Sequence, residues 1–376
     1  MKKEKVVHKI EQTFRNKVRN DKTVRNAMLM VHSEKLNVYL KIAEGNTGST
    51  PAHPDQPVYM ASVGKLFTST LIAILFEKGK LSFNDTISKF LDPAMVKGLH
   101  IYKGTDYSEA LQIRHLLNHT SGLPDSFWPL LERVVKEPDY TITPLQALEW
   151  TKTQAKPAFA PGKGFKYTDT NYHLLGLIIE KITGMKFHEA LSFYFFEPLG
   201  MKNTWAHYRS EPAEPSPYPM ADFYWKNTRM NDFKAYAGLD YAGGAVVAPS
   251  DDLLKFLKAL AKGQIVAPET LQIMKDDKAR FGLGIDYGYG IWQFKTVPVF
   301  MPRSLNCWGV TGGTGAFLFY HPKTDSYIVG SFNQSFWASK AIRFMLLNVI
   351  RQLVKIKIIL QDKYFNQNNK LLTIIR

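Results

Sequence analysis

A serine and a lysine three positions apart, Ser62 and Lys65 in Met60-Ala61-Ser62-Val63-Gly64-Lys65-Leu66-Phe67-Thr68, are the residues of this chain best spaced to do chemistry. Three residues advance an α-helix by about 300°, so both side chains share one face. At a helix N-terminus the Ser62 hydroxyl can lie within hydrogen-bond reach of the Lys65 amine, and the helix dipole favours negative charge developing on that oxygen. That is the layout of an activated nucleophile. The competing reading is an N-capping serine followed by a solvated lysine. The residues after the tetrad separate the two: Leu71-Ile72-Ala73-Ile74-Leu75-Phe76 has almost no polar face, and Gly79 supplies a stop, so the helix is expected to be buried on most sides. Desolvation at the mouth of such a helix favours a neutral amine, which makes the lysine a usable base.

The elements that must hold this pair are legible in outline. Val6, Val7, Ile10, Phe14 and Val18 recur near helical spacing and predict an amphipathic first helix. Ala27–His32 and Asn37–Ile42 read as a β-hairpin around Ser33-Glu34-Lys35, and a loop rich in Gly, Pro and Thr, residues 45–57, delivers the chain to Ser62. A helix capped by Ser82–Asp85 is expected to end at Leu91 before Pro93. Short helices occupy residues 113–160, and a turn at Pro161–Tyr172 leads into the apolar helix from Leu174, with Tyr167 just outside its start as Ser62 is outside its own. Residues 205–240, rich in Pro, Tyr and Trp, have the character of a pocket roof. Ser250-Asp251-Asp252 cap a helix to Leu260. Beyond Gly263 the pattern turns to strands, and a helix from Lys340 to about Leu353 closes the body. This order predicts an α+β fold, an antiparallel sheet completed by both ends of the chain and flanked by helices, with an all-helical insertion. The expected division is residues 1–80 and 236–354 for the sheet subdomain, 81–235 for the helical insertion, and 355–376 for a basic tail.

Bulk properties narrow the function classes. A chain of 376 residues with 45% hydrophobic and 13% aromatic content is globular and long enough for two lobes. No apolar run reaches the roughly 20 residues of a membrane-spanning helix. The net charge of +15 raises the question of nucleic acid, but the basic residues concentrate at the two ends and no recognition motif lies between, so no specific nucleic-acid partner is expected. The single cysteine, Cys307, excludes an internal disulfide and is expected to pack rather than react. No signal peptide is visible at the N-terminus, which as the sequence stands points to the cytoplasm unless an export signal has been removed. His115 and His119 lie four apart without the acid that would complete a metal site, so structural hydrogen bonds are expected of them; neither metal nor cofactor is. Nothing in the sequence reports an oligomeric state.

Several stretches together resemble the β-lactamase-related serine hydrolases, which include class C β-lactamases, D-alanyl-D-alanine carboxypeptidases and β-lactamase-like carboxylesterases. Ser62-Val63-Gly64-Lys65 matches the family's S-x-x-K, and Tyr167-Thr168-Asp169 its Y-x-N with Asp in the last place. The stretches Ile113–Asp125, Pro161–Glu180, Phe196–Thr204 and Gly243–Leu257 also look like family segments in the right order. The resemblance, covering residues 27 to 350, implies a β-lactamase/transpeptidase-like fold and acyl transfer through a covalent intermediate on Ser62, with Lys65 and Tyr167 sharing the acid and base roles. Free tyrosine titrates near 10, so a nearby cation, Lys65, would have to lower it. The backbone N–H groups of Ser62 and Gly313 are the implied oxyanion hole.

The third motif departs from the pattern. Where the family has Lys or His followed by Thr-Gly, this chain reads Val310-Thr311-Gly312-Gly313. Asp169, Val310, Thr311 and Gly312 are therefore the expected substrate contacts, and a valine cannot hold a carboxylate. The expected activity is an esterase or amidase acting on small neutral acyl substrates (ester, amide or peptide). The alternatives are a D-alanyl-D-alanine carboxypeptidase or β-lactamase in which Arg303 or Lys163 supplies the missing cation, and a non-catalytic binding or sensor protein on the same fold.

Overall fold

The computed structural model describes residues 3–137 and 139–360. The first helix, α1 (Lys3–Asn20), buries Val6, Ile10, Phe14 and Val18 as a single stripe, as residues repeating every four positions must. That stripe lies on the hairpin β1 (Asn26–Ser33) and β2 (Val38–Thr47). Arg15 and Arg19 fix the docking by reaching Glu44 on β2.

The hairpin joins strands from the far end of the chain. With β3 (Thr50–Pro51), β4 (Ala279–Gly282), β5 (Ile285–Tyr287), β6 (Trp292–Phe294), β7 (Cys307–Thr311), β8 (Phe317–His321) and β9 (Ser326–Ser331), it forms a nine-stranded antiparallel sheet in the order β4-β5-β6-β7-β8-β9-β1-β2-β3. Met30 faces Val329 on one side and Lys41 on the other. Helices cover both faces, which is why β1 and β9 read as continuous apolar runs rather than alternating ones. α1 and the C-terminal helix, joined through Phe14 and Phe344, take one face. The helices α2 (Gly64–Glu77) and α4 (Ser250–Ala261), locked by the stacked rings of Phe67 and Phe256, take the other.

Between α2 and α4 short helices alternate with irregular stretches and two small ribbons, Ile101–Tyr102 with Thr105–Asp106 and Tyr224–Trp225 with Thr228–Arg229, so the insertion is not all-helical as expected; its central helix is α3 (Asp169–Thr183), capped by Thr168 and ended by Gly184 at φ +72°. The roof segment is tied to the sheet half by its backbone: Tyr224 N–H donates to Asn333 O at 2.9 Å and Ser335 N–H to Tyr224 O at 2.9 Å. A small sheet of Val58–Tyr59, Val246–Ala248 and Trp205–Ala206 anchors the approach to Ser62.

The structure also corrects the sequence reading of individual elements at four places. Pro93 begins a helix instead of ending one, because Asp92 caps Pro93–Val96 and a proline at the first helical position costs no hydrogen bond. The preceding expected helix is only a 3₁₀ turn, Ile87–Lys89. After Gly263 a helix, Pro268–Asp276, comes before the strands. The final helix runs from Ala338 to residue 360, with π-helical hydrogen bonding over Met345–Ile350. Leu353 and Ile356 continue its buried stripe, so residues 355–360 belong to the helix and not to a tail. The rest of the expected tail, residues 361–376, lies outside the described residues.

Candidate active site

Ser62 sits in a 3₁₀ turn, Ala61–Val63, that runs directly into α2. Ala61, just before it, holds φ +49°, a left-handed conformation that residues with a Cβ adopt at a cost and that clusters at functional sites. Two glycines allow the turn to be wedged this tightly. A Cβ on Gly64 would lie 1.8 Å from the carbonyl oxygen of Gly244, and one on Gly312 2.6 Å from that of Met60. The start of α2 is thus clamped between the Gly243-Gly244 segment and the end of β7.

Lys65 is fully buried. An ammonium has three N–H donors, and each has an acceptor here: Ser62 Oγ at 3.1 Å, Gly243 O at 2.8 Å, and the carboxylate of Asp169 in close contact. Asp169 is the first residue of α3, and its own N–H donates to Asp125 Oδ1 at 2.9 Å. Thr168 also donates to that oxygen, at 3.1 Å. Burial, with the Asp169 charge adding to it, pushes the Asp125 carboxyl up to about 6.

Tyr167 does not fit the role of a phenolate. Burial first, then the Asp169 charge, hold its hydroxyl well above the ordinary tyrosine range against an opposing hydrogen bond to Ser62, with the Asp125 charge a lesser contribution. Lys65, whose Nζ lies 5.1 Å from the centroid of the Tyr167 ring, does not offset this, because Asp169 balances its charge. Tyr167 is therefore held as a phenol in the lining of the cavity that Ser62 also lines. Its ring packs on His119 at a centroid distance of 4.2 Å. His119 Nδ1 accepts from Thr168 N–H at 3.3 Å and contacts Asn171 Nδ2 at 3.0 Å, which braces the turn carrying Tyr167. His115 Nδ1 accepts from Gln112 N–H at 3.2 Å. Both histidines make structural hydrogen bonds.

A cavity of about 280 Å³ opens over Ser62, and Tyr167, Asp169, Thr311, Gly312 and Gly313 line it. Neither the Ser62 nor the Gly313 backbone N–H donates to any acceptor among the described residues, so both are free to meet a developing oxyanion. Phe127, Trp128, Phe223, Trp225 and Tyr236 form much of the remaining wall, much of it from the roof segment. A larger open depression of about 830 Å³ beside α3 has no serine, cysteine or histidine in its lining.

Val310 is not a substrate contact. It is fully buried and belongs to the hydrophobic core, while the next residue, Thr311, faces the cavity. Successive side chains of a strand point to opposite sides. Arg303 and Lys163 are exposed and do not line the cavity. No lysine or arginine lines it at all. Cys307 is buried, and burial pushes its thiol up, in keeping with a packing role.

Three participants were not singled out from the sequence. The Gly243 carbonyl is a backbone group, and the Gly-Gly pair around it is the only trace it leaves. Asp125 stands in a stretch noted for its turn. Asp240, also in the cavity lining, sits in an aromatic run with no spacing to mark it.

Residues 10–350 match the family described as Beta-lactamase. Penicillin-binding protein 4* of Bacillus subtilis is 27% identical over 269 residues, which cover 67% of this chain and 55% of that protein. A second curated relative is covered to 62%, so the chain spans between half and two thirds of the length of these relatives. Among solved structures, the D-amino acid amidase from Ochrobactrum anthropi in complex with D-phenylalanine superposes with a TM-score of 0.75 at 21% identity, over 93% of this chain and 99% of that one. EstCE1, a hydrolase with promiscuous acyltransferase activity, superposes with a TM-score of 0.72 at 21% identity, over 93% and 98%.

Proposed function

The chain belongs to the beta-lactamase family, a family of serine hydrolases, and from that premise we propose an esterase or amidase that forms an acyl-enzyme on Ser62 with acyl compounds lacking a free carboxylate. One observation carries the substrate class: the cavity over Ser62 has aromatic walls and two carboxylates, Asp169 and Asp240, no lysine or arginine in its lining, and the one cation bonded to that lining, Lys65, is already taken up by Asp169. A charge-assisted hydrogen bond to a desolvated carboxylate is worth about 1.5–3 kcal/mol, one to two decades in binding. A penicillin or a D-Ala-D-Ala terminus would forgo it.

The proposed steps build on the hydrogen bonds. One Lys65 proton passes to the Asp169 carboxylate it touches, leaving a neutral amine and a neutral acid. The amine takes the Ser62 hydroxyl proton as Oγ bonds to the substrate carbonyl carbon, and the Ser62 and Gly313 N–H groups receive the carbonyl oxygen. Tyr167 donates its phenolic proton to the leaving alcohol or amine as the carbonyl bond to it breaks, and recovers a proton from Lys65. Water then repeats the attack on the acyl-enzyme, with Ser62 as leaving group.

The test is mass spectrometry after a fluorophosphonate probe, together with turnover of p-nitrophenyl esters, a chromogenic cephalosporin and a D-Ala-D-Ala peptide. Labelling at Ser62 and turnover of the esters are expected. No labelling refutes the hydrolase reading, and efficient cephalosporin or peptide hydrolysis lost in Ser62→Ala refutes the substrate class. The curated relative's penicillin-binding name makes that second outcome the alternative reading.

A further inference from the structure

We infer that the cavity is built for a substrate bearing an ammonium group, which Asp240 and the surrounding aromatic rings would hold. The inference rests on the hydrolase reading above and extends it from what the substrate lacks to what it carries.

Asp240 ends the short helix Tyr236–Asp240 and is 3% exposed. Its Oδ2 accepts the Tyr59 hydroxyl and, at 2.9 Å, the Ala245 N–H. Its Oδ1 takes no hydrogen bond from any described residue, and the side chain lines the same cavity as Ser62. Asp240 also has no ion-pair partner among the described residues, whereas Asp169 is committed to Lys65. A carboxylate buried this deeply without a cation is unfavourable. Burial accordingly pushes Asp240 up to about 7. A packing role would be served as well by asparagine, whose carbonyl oxygen could accept both bonds now made to Oδ2. The carboxylate's distinctive property is the charge it can offer to a cation entering the cavity.

The walls suit the same guest. The Phe223 ring stacks on Tyr59 at 4.5 Å and meets Tyr236 edge-on at 5.7 Å, while Phe127 meets Tyr236 at 6.0 Å. Aromatic faces attract cations through their quadrupole, most strongly when water is excluded. The ligand class is therefore an ester or amide whose acyl side carries an ammonium next to an apolar group, as in an α-amino amide.

The experiment compares two soluble probes of nearly equal shape, 2-phenylethylammonium and 2-phenylethanol, titrated calorimetrically into the whole protein at pH 8. Potassium chloride at matched ionic strength controls for simple ions. The ammonium is expected to bind at least about tenfold more tightly, as one charge-assisted contact gives. Equal binding of the two, or competition by potassium alone, overturns the inference. In Asp240→Asn the preference should fall to near one, and its persistence there overturns the assignment to Asp240. Phe127→Leu, an apolar exchange, should lower it about twofold to fivefold, and an unchanged preference overturns the part given to the rings. Calorimetry does not depend on turnover, so a cation preference without fluorophosphonate labelling would refute the hydrolase reading alone, and labelling without a preference would refute this inference alone.

Discussion

Asp169 touches Lys65 with its carboxylate, at a helix start where the family motif has a neutral amide. Lys65 is fully buried and the Asp169 side chain 9% exposed, so the pair is a buried ion pair, not a surface one. Such pairs add little net stability, but breaking one strands the other charge, at a cost of about 3–5 kcal/mol. Asp169→Asn should therefore destabilise the protein by about that amount in urea unfolding. Lys65→Met with Asp169→Asn should recover part of the loss, because neither charge is then buried. If the double variant is as unstable as the sum of the single ones, the two residues do not act as a pair.

Tyr167, held as a phenol by burial and by Asp169, is assigned to protonating the leaving group. A p-nitrophenolate leaves without a proton, whereas an anilide or alkyl amide cannot. Tyr167→Phe should thus cost about 10²–10⁴ in kcat/KM on amides, the usual contribution of a positioned acid, and much less on p-nitrophenyl esters. Lys65→Ala should depress acylation by both. Equal losses on the two substrate types in Tyr167→Phe would make the tyrosine part of the base instead.

How far the sequence could be read depends on the kind of signal each feature leaves. Ser62 and Lys65 were visible because a helical face converts a spacing of three into proximity. The sheet was legible because β1 and β9 are apolar enough on both faces to betray covered strands. Pro268–Asp276 was missed because its buried residues, Thr270, Leu271 and Met274, span little more than one turn, too few for periodicity to emerge. The direction of the Tyr167 shift was missed because burial, which depends on the tertiary packing, dominates it, and because Asp169 cancels the cation that Lys65 supplies. The orientation of Val310 depends on which face of β7 meets the cavity, which is set by strands distant in sequence.

Val310 gives a test of that last point. An imidazole introduced there enters a core site with no exposure, so Val310→His should lose about 1–3 kcal/mol, the cost of burying an unsatisfied polar group. It should not gain activity on carboxylate-bearing substrates. Thermal unfolding and the substrate panel read both effects, and a stable variant that hydrolyses a D-Ala-D-Ala peptide would show that the side chain reaches the site.

Asp240 makes stability depend on pH in a direction opposite to that of the buried histidines. Burial lowers His173, His207 and His321 to about 4 from 6.5. Below 6.5 the unfolded chain binds protons that the folded one refuses, and stability is lost as the pH falls toward 4. For Asp240 the folded carboxyl titrates near 7 against 3.8 in the unfolded chain. Its contribution is intact below about 4 and is lost as the pH rises through 7, because the unfolded chain releases its proton first. The ceiling on that loss is on the order of 4 kcal/mol, from about 1.4 kcal/mol per unit. Asp240→Asn keeps the acceptor for Tyr59 and Ala245 but cannot ionise. Comparing variant with wild type at each pH cancels the histidines, so the variant should gain on the wild type steadily from pH 4 to pH 8 in urea midpoints. A difference that stays flat over that range would mean that Asp240 is already paired with a cation in the folded protein, and the cavity would then have no charge to offer a substrate.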